Sequence, residues 1–122
     1  MSVKKLNIQK EKIDTVTFMR LQGAIDAFTH EKFNQEVKTA LKRGGVILDL
    51  EEVSLISSIG IKALKEISDF SYSNRNKDNT RNKIILLNLS ENVKKVLKMM
   101  ELYNMFSIAV NEELAMKMVQ NQ

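Results

Sequence analysis

Two short runs constrain this chain most: VILDL at Val46–Leu50 and KIILLN at Lys83–Asn88. Each is almost continuously apolar. A strand with one face on water alternates apolar and polar residues, whereas a strand covered on both faces reads as an unbroken run. Between them Ile59, Ala63, Ile67 and Phe70 recur at helical spacing, beside Ile61, Leu64 and Ser68. Buried strand, helix, buried strand is the pattern of a parallel crossover, because parallel neighbours need a long connection that packs back on the sheet.

The flanking residues extend that unit. Val3–Gln9 carries a weak edge-strand signal, Lys10-Glu11-Lys12 reads as a turn, and Ile13–Leu21 is rich in β-branched residues. In the last stretch Val16, Phe18 and Arg20 share one face, opposite Thr15, Thr17, Met19 and Leu21. The pair predicts a hairpin, and Gln22–Asp26 ends it. Phe28–Lys42 has a helical stripe of Phe33, Val37, Ala40 and Leu41, with Thr29 as expected N-cap and Arg43-Gly44-Gly45 as its close. Ser71–Asn82 is polar and reads as a surface loop carrying Arg75, Lys77 and Arg81. Ser90 then caps a helix through Val93, Val96, Leu97 and Met100. Met105–Val110 is a short strand, and Glu112–Gln120 is a last helix. The expected order is β-β-α-β-α-β-α-β-α. It describes residues 1–122 as one small α/β domain, with a mixed, mainly parallel sheet of about five strands and about four helices packed against it.

Composition removes many functions. There is no cysteine and one histidine, His30, so thiol catalysis, disulfides and multi-histidine metal sites are excluded. Neither a Walker-type nor a dinucleotide-type glycine loop is present. The net charge of +4 is spread among 15 acidic and 19 basic residues, and the 6% aromatic content includes no Trp. That balance supplies neither a concentrated basic patch nor a stacking platform, so direct nucleic-acid binding is not expected. No apolar run approaches the roughly 20 residues of a membrane span, and the first residues lack the apolar core of a signal peptide. A soluble, cytoplasmic, non-enzymatic protein without cofactor or metal is expected. Its oligomeric state is left open.

The residues with chemistry to offer are Ser57 and Ser58, between an apolar strand and a helix with Gly60 in its first turn. Glu51-Glu52 makes a poorer candidate, since neighbours on an extended segment point to opposite sides. Two readings of the serines stand. One hydroxyl caps the helix by accepting from an early backbone N–H. Alternatively, an exposed hydroxyl is a phosphoacceptor, whose phosphate would meet the positive end of the helix. A third reading is a nucleotide or small-molecule site made by that helix start, Asp26 and the basic loop.

VILDLEEVSLISSIGIKAL resembles the signature of the STAS domain: an apolar strand ending in Asp-Leu, a short apolar stretch, then Asp-Ser-x-Gly-Leu opening a helix. Leu21–Asp26 is similar to the family's G-x-[LI]-D, and Lys83–Asn88 with the Val93–Met100 helix falls where its next strand and helix would. The resemblance implies a small α/β domain with a mixed sheet. For the stand-alone anti-sigma-factor antagonists it implies partner switching: an anti-sigma-factor kinase binds the unphosphorylated form and phosphorylates it, and a phosphatase resets it. Matched by position, it implies a phosphoacceptor at Ser58, with Ser57 as the alternative. The implied partner surface holds Asp26, Ser57, Ser58, Ile59, Gly60 and Ile61. Ser57 stands where the family has an acidic residue, Ile59 where a small residue is common, and Ile61 in place of the motif leucine. A constitutive interaction module of the same fold, with both serines as caps, is the competing expectation.

Overall fold

The structure is a computed structural model and describes residues 5–120. Along the chain run β1 (Leu6–Ile13), β2 (Val16–Ile25), α1 (His30–Leu41), β3 (Val46–Ile56), α2 (Ser58–Ser73), β4 (Ile84–Leu87), α3 (Glu91–Met99), β5 (Ser107–Ala109) and α4 (Glu112–Gln120). A 3-10 turn at Tyr103–Met105 precedes β5. The element order matches the expectation from sequence. Of the expected first strand, Val3 and Lys4 lie outside the described residues.

The five strands pair in chain order, β1-β2-β3-β4-β5. β1 and β2 are antiparallel, and each later pair is parallel. Every parallel crossover steps the same way across the sheet. The right-handed rule therefore sends their helices to one face. The core bears this out: Phe33 and Val37 of α1, Ile61 and Leu64 of α2, and Val93 and Leu97 of α3 bury against Met19, Leu21, Leu48 and Leu86. α4 comes after the last strand, so no crossover constrains it. It folds onto the opposite face, where Ala115 and Val119 meet Val16, Phe18, Ile47, Ile85 and Leu87. The two apolar runs are thus central strands covered on both sides, as their unbroken pattern requires.

The hairpin turn lies further along the chain than expected. Lys10-Glu11-Lys12 is not a turn but the exposed second half of β1. An edge strand tolerates charges there, and lysines protect its open edge. The reversal is the two-residue Asp14-Thr15 loop between the paired Ile13 and Val16. Asp14 takes a φ of 55°, a left-handed conformation that Asp accepts more readily than most residues.

β3 runs past the apolar VILDL segment and through Glu51-Glu52 to Ile56. It bulges on the way. The register with β2 passes from Arg20↔Asp49 to Gln22↔Glu52, and from Gly23↔Val53 to Ala24↔Leu55. In both places β3 holds an extra residue, which disturbs the alternation of faces. Glu51 and Glu52 are consequently both exposed, and both line one shallow recess with Arg20, Asp49, Asn88 and Glu112. The rule that neighbouring residues diverge fails at a bulge.

α2 also runs longer than its apolar pattern indicates, absorbing Ser71, Tyr72 and Ser73 from the polar tract. Ser71 is buried, and its hydroxyl is satisfied there by donating to Asn82 O at 2.6 Å.

Candidate functional site

β2, β3 and β4 all end at the same edge of the sheet, and the turns after them lie there together. At this edge β2 and β3 close with Ile25 paired to Ile56. Ser57 comes next, in extended conformation (φ −87°, ψ 176°), and α2 starts at Ser58.

The adjacent serines have different tasks. The backbone N–H of Ser57 donates to Ile25 O at 3.0 Å, continuing the β2–β3 pairing by one residue. Its Oγ accepts from Gly60 N at 3.3 Å, the N-cap geometry. The same hydroxyl lies 3.5 Å from Ile25 O, to which it donates. Ser58, by contrast, is exposed, and its hydroxyl makes no hydrogen bond among the described residues. It is the first residue of the helix. One serine holds the helix to the sheet, and the other presents a free hydroxyl beside the first-turn N–H groups.

Gly60 explains how α2 comes so close to β2. A Cβ on Gly60 would overlap the carbonyl oxygen of Ile25 and lie 2.9 Å from Ile56 Cγ1. Only glycine lets the first turn rest on the strand ends. Ile61 is 1% exposed and anchors the same turn in the core. Ile59 is 36% exposed, on the surface next to Ser58.

Asp26 faces inward. It is 7% exposed, and its Oδ1 accepts from Phe28 N at 2.9 Å, closing an Asx turn. Its backbone N–H donates to Thr29 Oγ1 at 3.0 Å, while that hydroxyl donates to Ala24 O at 2.6 Å. Thr29 thus occupies the N-cap position as expected, but its side chain does not cap α1. The hydroxyl is committed to the β2–α1 turn. Of the six residues implied as a partner surface, Ser58 and Ile59 are exposed and Ser57 is half-buried. Asp26, Gly60 and Ile61 are buried and so offer no surface of their own.

Two exposed apolar residues at this edge are not apparent from sequence pattern. Leu55, just after the second β3 bulge, is 38% exposed. Phe28, expected within the helix, precedes α1 and is 82% exposed. The third terminus here belongs to α3. Ser90 Oγ accepts from Val93 N at 3.3 Å and donates to Val53 O at 2.7 Å, tying α3 to the bulged end of β3.

The basic loop does not join this site. It lies past the C-terminal end of α2, and the 16 residues of that helix hold it about 24 Å from Ser58 at 1.5 Å per residue. Arg75 and Arg81 pair across the loop, and the Arg81 guanidinium lies 4.0 Å from the Tyr72 ring centre. The strand order has no reversal point among the parallel strands, where open α/β sheets place their ligand crevice. A site built from Ser58, Asp26 and the basic loop together is therefore not what the fold assembles. Among the described residues no group of three or more His, Asp or Glu side chains could hold a metal ion, and no helix is long and apolar enough to cross a membrane.

The model of the STAS domain matches residues 7–115. No curated protein sequence matches the chain. Among solved structures, the chain is similar to an anti-sigma factor antagonist from Mycobacterium paratuberculosis, at 18% identity, TM-score 0.76 and 96% of each chain. It is also similar to the anti-sigma factor antagonist SpoIIAA in its unphosphorylated form, at 23% identity, TM-score 0.67, 92% of this chain and 96% of that one. The phosphorylated form of SpoIIAA, a Bacillus cell fate determinant, matches at 23% identity, TM-score 0.65, 93% of this chain and 100% of that one. At these identities the likeness is one of fold.

Proposed function

This chain belongs to the STAS domain family, and from that premise we propose that it is an anti-sigma-factor antagonist working by partner switching, with Ser58 as phosphoacceptor. The observation that carries this reading is the division of labour between the two serines. Ser57 is occupied by the cap, whereas Ser58 is exposed and unbonded at the first residue of α2. In this reading a cytoplasmic serine kinase binds the surface of Ser58, Ile59 and Leu55 and transfers phosphate to Ser58. A phosphatase restores the hydroxyl. The protein acts by binding, not by catalysis. Phosphate added to this surface weakens the complex, because two charges must be desolvated against a partner that packed on a neutral hydroxyl. That SpoIIAA exists in phosphorylated and unphosphorylated forms supports the reading by analogy of fold.

The competing reading, a constitutive interaction module, needs both serines as caps. The free hydroxyl of Ser58 speaks against that, while Ser57 fits it. One experiment separates them. The protein is incubated with ATP and extract of its own cells, its intact mass is monitored, and partners are captured on wild type, Ser57→Ala, Ser58→Ala and Ser58→Asp. Partner switching requires a phosphate that Ser58→Ala abolishes and Ser57→Ala retains, and a partner captured by Ser58→Ala but not by Ser58→Asp. If Ser58→Asp captures the same partners as wild type, the switch is wrong.

A further inference from the structure

We propose that Lys62 is the internal receptor for a phosphate on Ser58, pairing with it across one turn of α2 so that phosphorylation also removes this cation from the partner surface. The inference rests on Ser58 as phosphoacceptor and adds where the phosphate finds its counter-charge. Ser58 and Lys62 are four residues apart in a continuous helix. Residues at that spacing are neighbours on the helix surface. Helical side chains also lean toward the N-terminus, so a residue covers the turn before its own Cα. A Lys62 side chain with this lean extends over Ser58 and not away from it. The anion-before-cation order is the favourable one for a helical pair.

Nothing nearby competes for Lys62. It is exposed, and none of the ion pairs among the described residues includes it. The first turn of α2 holds no acidic residue. Glu66, one turn beyond Lys62, accepts from Asn34 Nδ2 at 3.2 Å and is turned toward α1. The unphosphorylated protein thus offers Lys62 to an acidic group of a partner. The phosphorylated protein engages it internally, and the surface loses a cation as it gains a phosphate.

The test installs phosphoserine at position 58 during synthesis, so its outcome does not depend on any kinase. The second ionisation of the phosphate is measured by phosphorus NMR at low ionic strength in otherwise wild-type protein, Lys62→Gln and Lys65→Gln. Asp26, His30, Glu66, Asp69, Tyr72 and Glu91, titratable groups at this edge and along the helix, are common to all three and cancel in the differences. Pairing predicts a midpoint roughly 0.3 pH unit lower with Lys62 than with Gln at that position. Lys65→Gln, two turns from the phosphate, should stay close to wild type. Coincident midpoints for wild type and Lys62→Gln overturn the proposal, as does an equal shift from Lys65→Gln, which would mean a diffuse helix charge. Partner capture is scored separately. Pairing without switching would defeat only the functional reading, and switching without pairing would defeat only Lys62.

Discussion

α2 and α3 begin at the same edge of the sheet with the same device, a serine cap, and they differ in the residue next to it. Ser90 caps α3 and Glu91 comes directly after it, placing a carboxylate in the first turn. Ser57 caps α2 and Ser58 comes directly after it, with no acidic residue in that turn. A fixed carboxylate permanently answers the positive end of α3. The end of α2 is answered by neutral hydroxyls only. The caps differ too: Ser90 donates to Val53 O at 2.7 Å, a well-made bond, whereas Ser57 reaches Ile25 O at 3.5 Å. α3 carries its own counter-charge, whereas the first turn of α2 has none.

The largest effect should come from the glycine that lets α2 approach the sheet. Gly60→Val is expected to lose about 3 kcal/mol in urea unfolding, because the new side chain must displace Ile25 O or lift the helix. A loss under about 1 kcal/mol would mean that the first turn is loosely seated. Next come the caps. Ser90→Ala should cost about 2 kcal/mol, since it removes the cap and leaves Val53 O without its donor. Ser57→Ala should cost about 1 kcal/mol. Equal losses would erase the distinction between the two caps.

Smaller effects probe the charges. Ser57→Asp restores an acid to α2 and should stabilise it by about 0.5 kcal/mol, an increment that added salt reduces. Ser58→Ala should change stability by less than about 0.5 kcal/mol, because the hydroxyl makes no bond to lose. A loss as large as that of Ser57→Ala would make Ser58 a structural residue and weaken its candidacy as acceptor.

Periodicity is what made much of the fold legible in the residues. VILDL and KIILLN read as central strands and are, and the helical stripe of α1 buries the face it marks with Phe33, Val37, Ala40 and Leu41; in α3 Val93 and Leu97 are buried and Val96 partly so, while Met100 lies past the helix end and is exposed. Ser90 was recognisable as a cap because one residue type before an amphipathic run has few other uses. Errors arose where pattern alone is ambiguous. Charged residues at Lys10–Lys12 look like a turn, but an edge strand accommodates them. Thr29 looks like a cap, yet the turn after β2 takes its hydroxyl for Ala24 O.

The sequence by itself determined the element order, the central strands and the place of two serines before a helix, because each depends on local spacing and residue type. Tertiary structure decided which serine is free. Both hydroxyls are equal as a string of letters. They differ because Ile25 O lies beside Ser57 and draws its backbone into the sheet, while the helix turns Ser58 toward solvent. The carbonyl responsible is 32 residues away in sequence, and no local pattern carries that information.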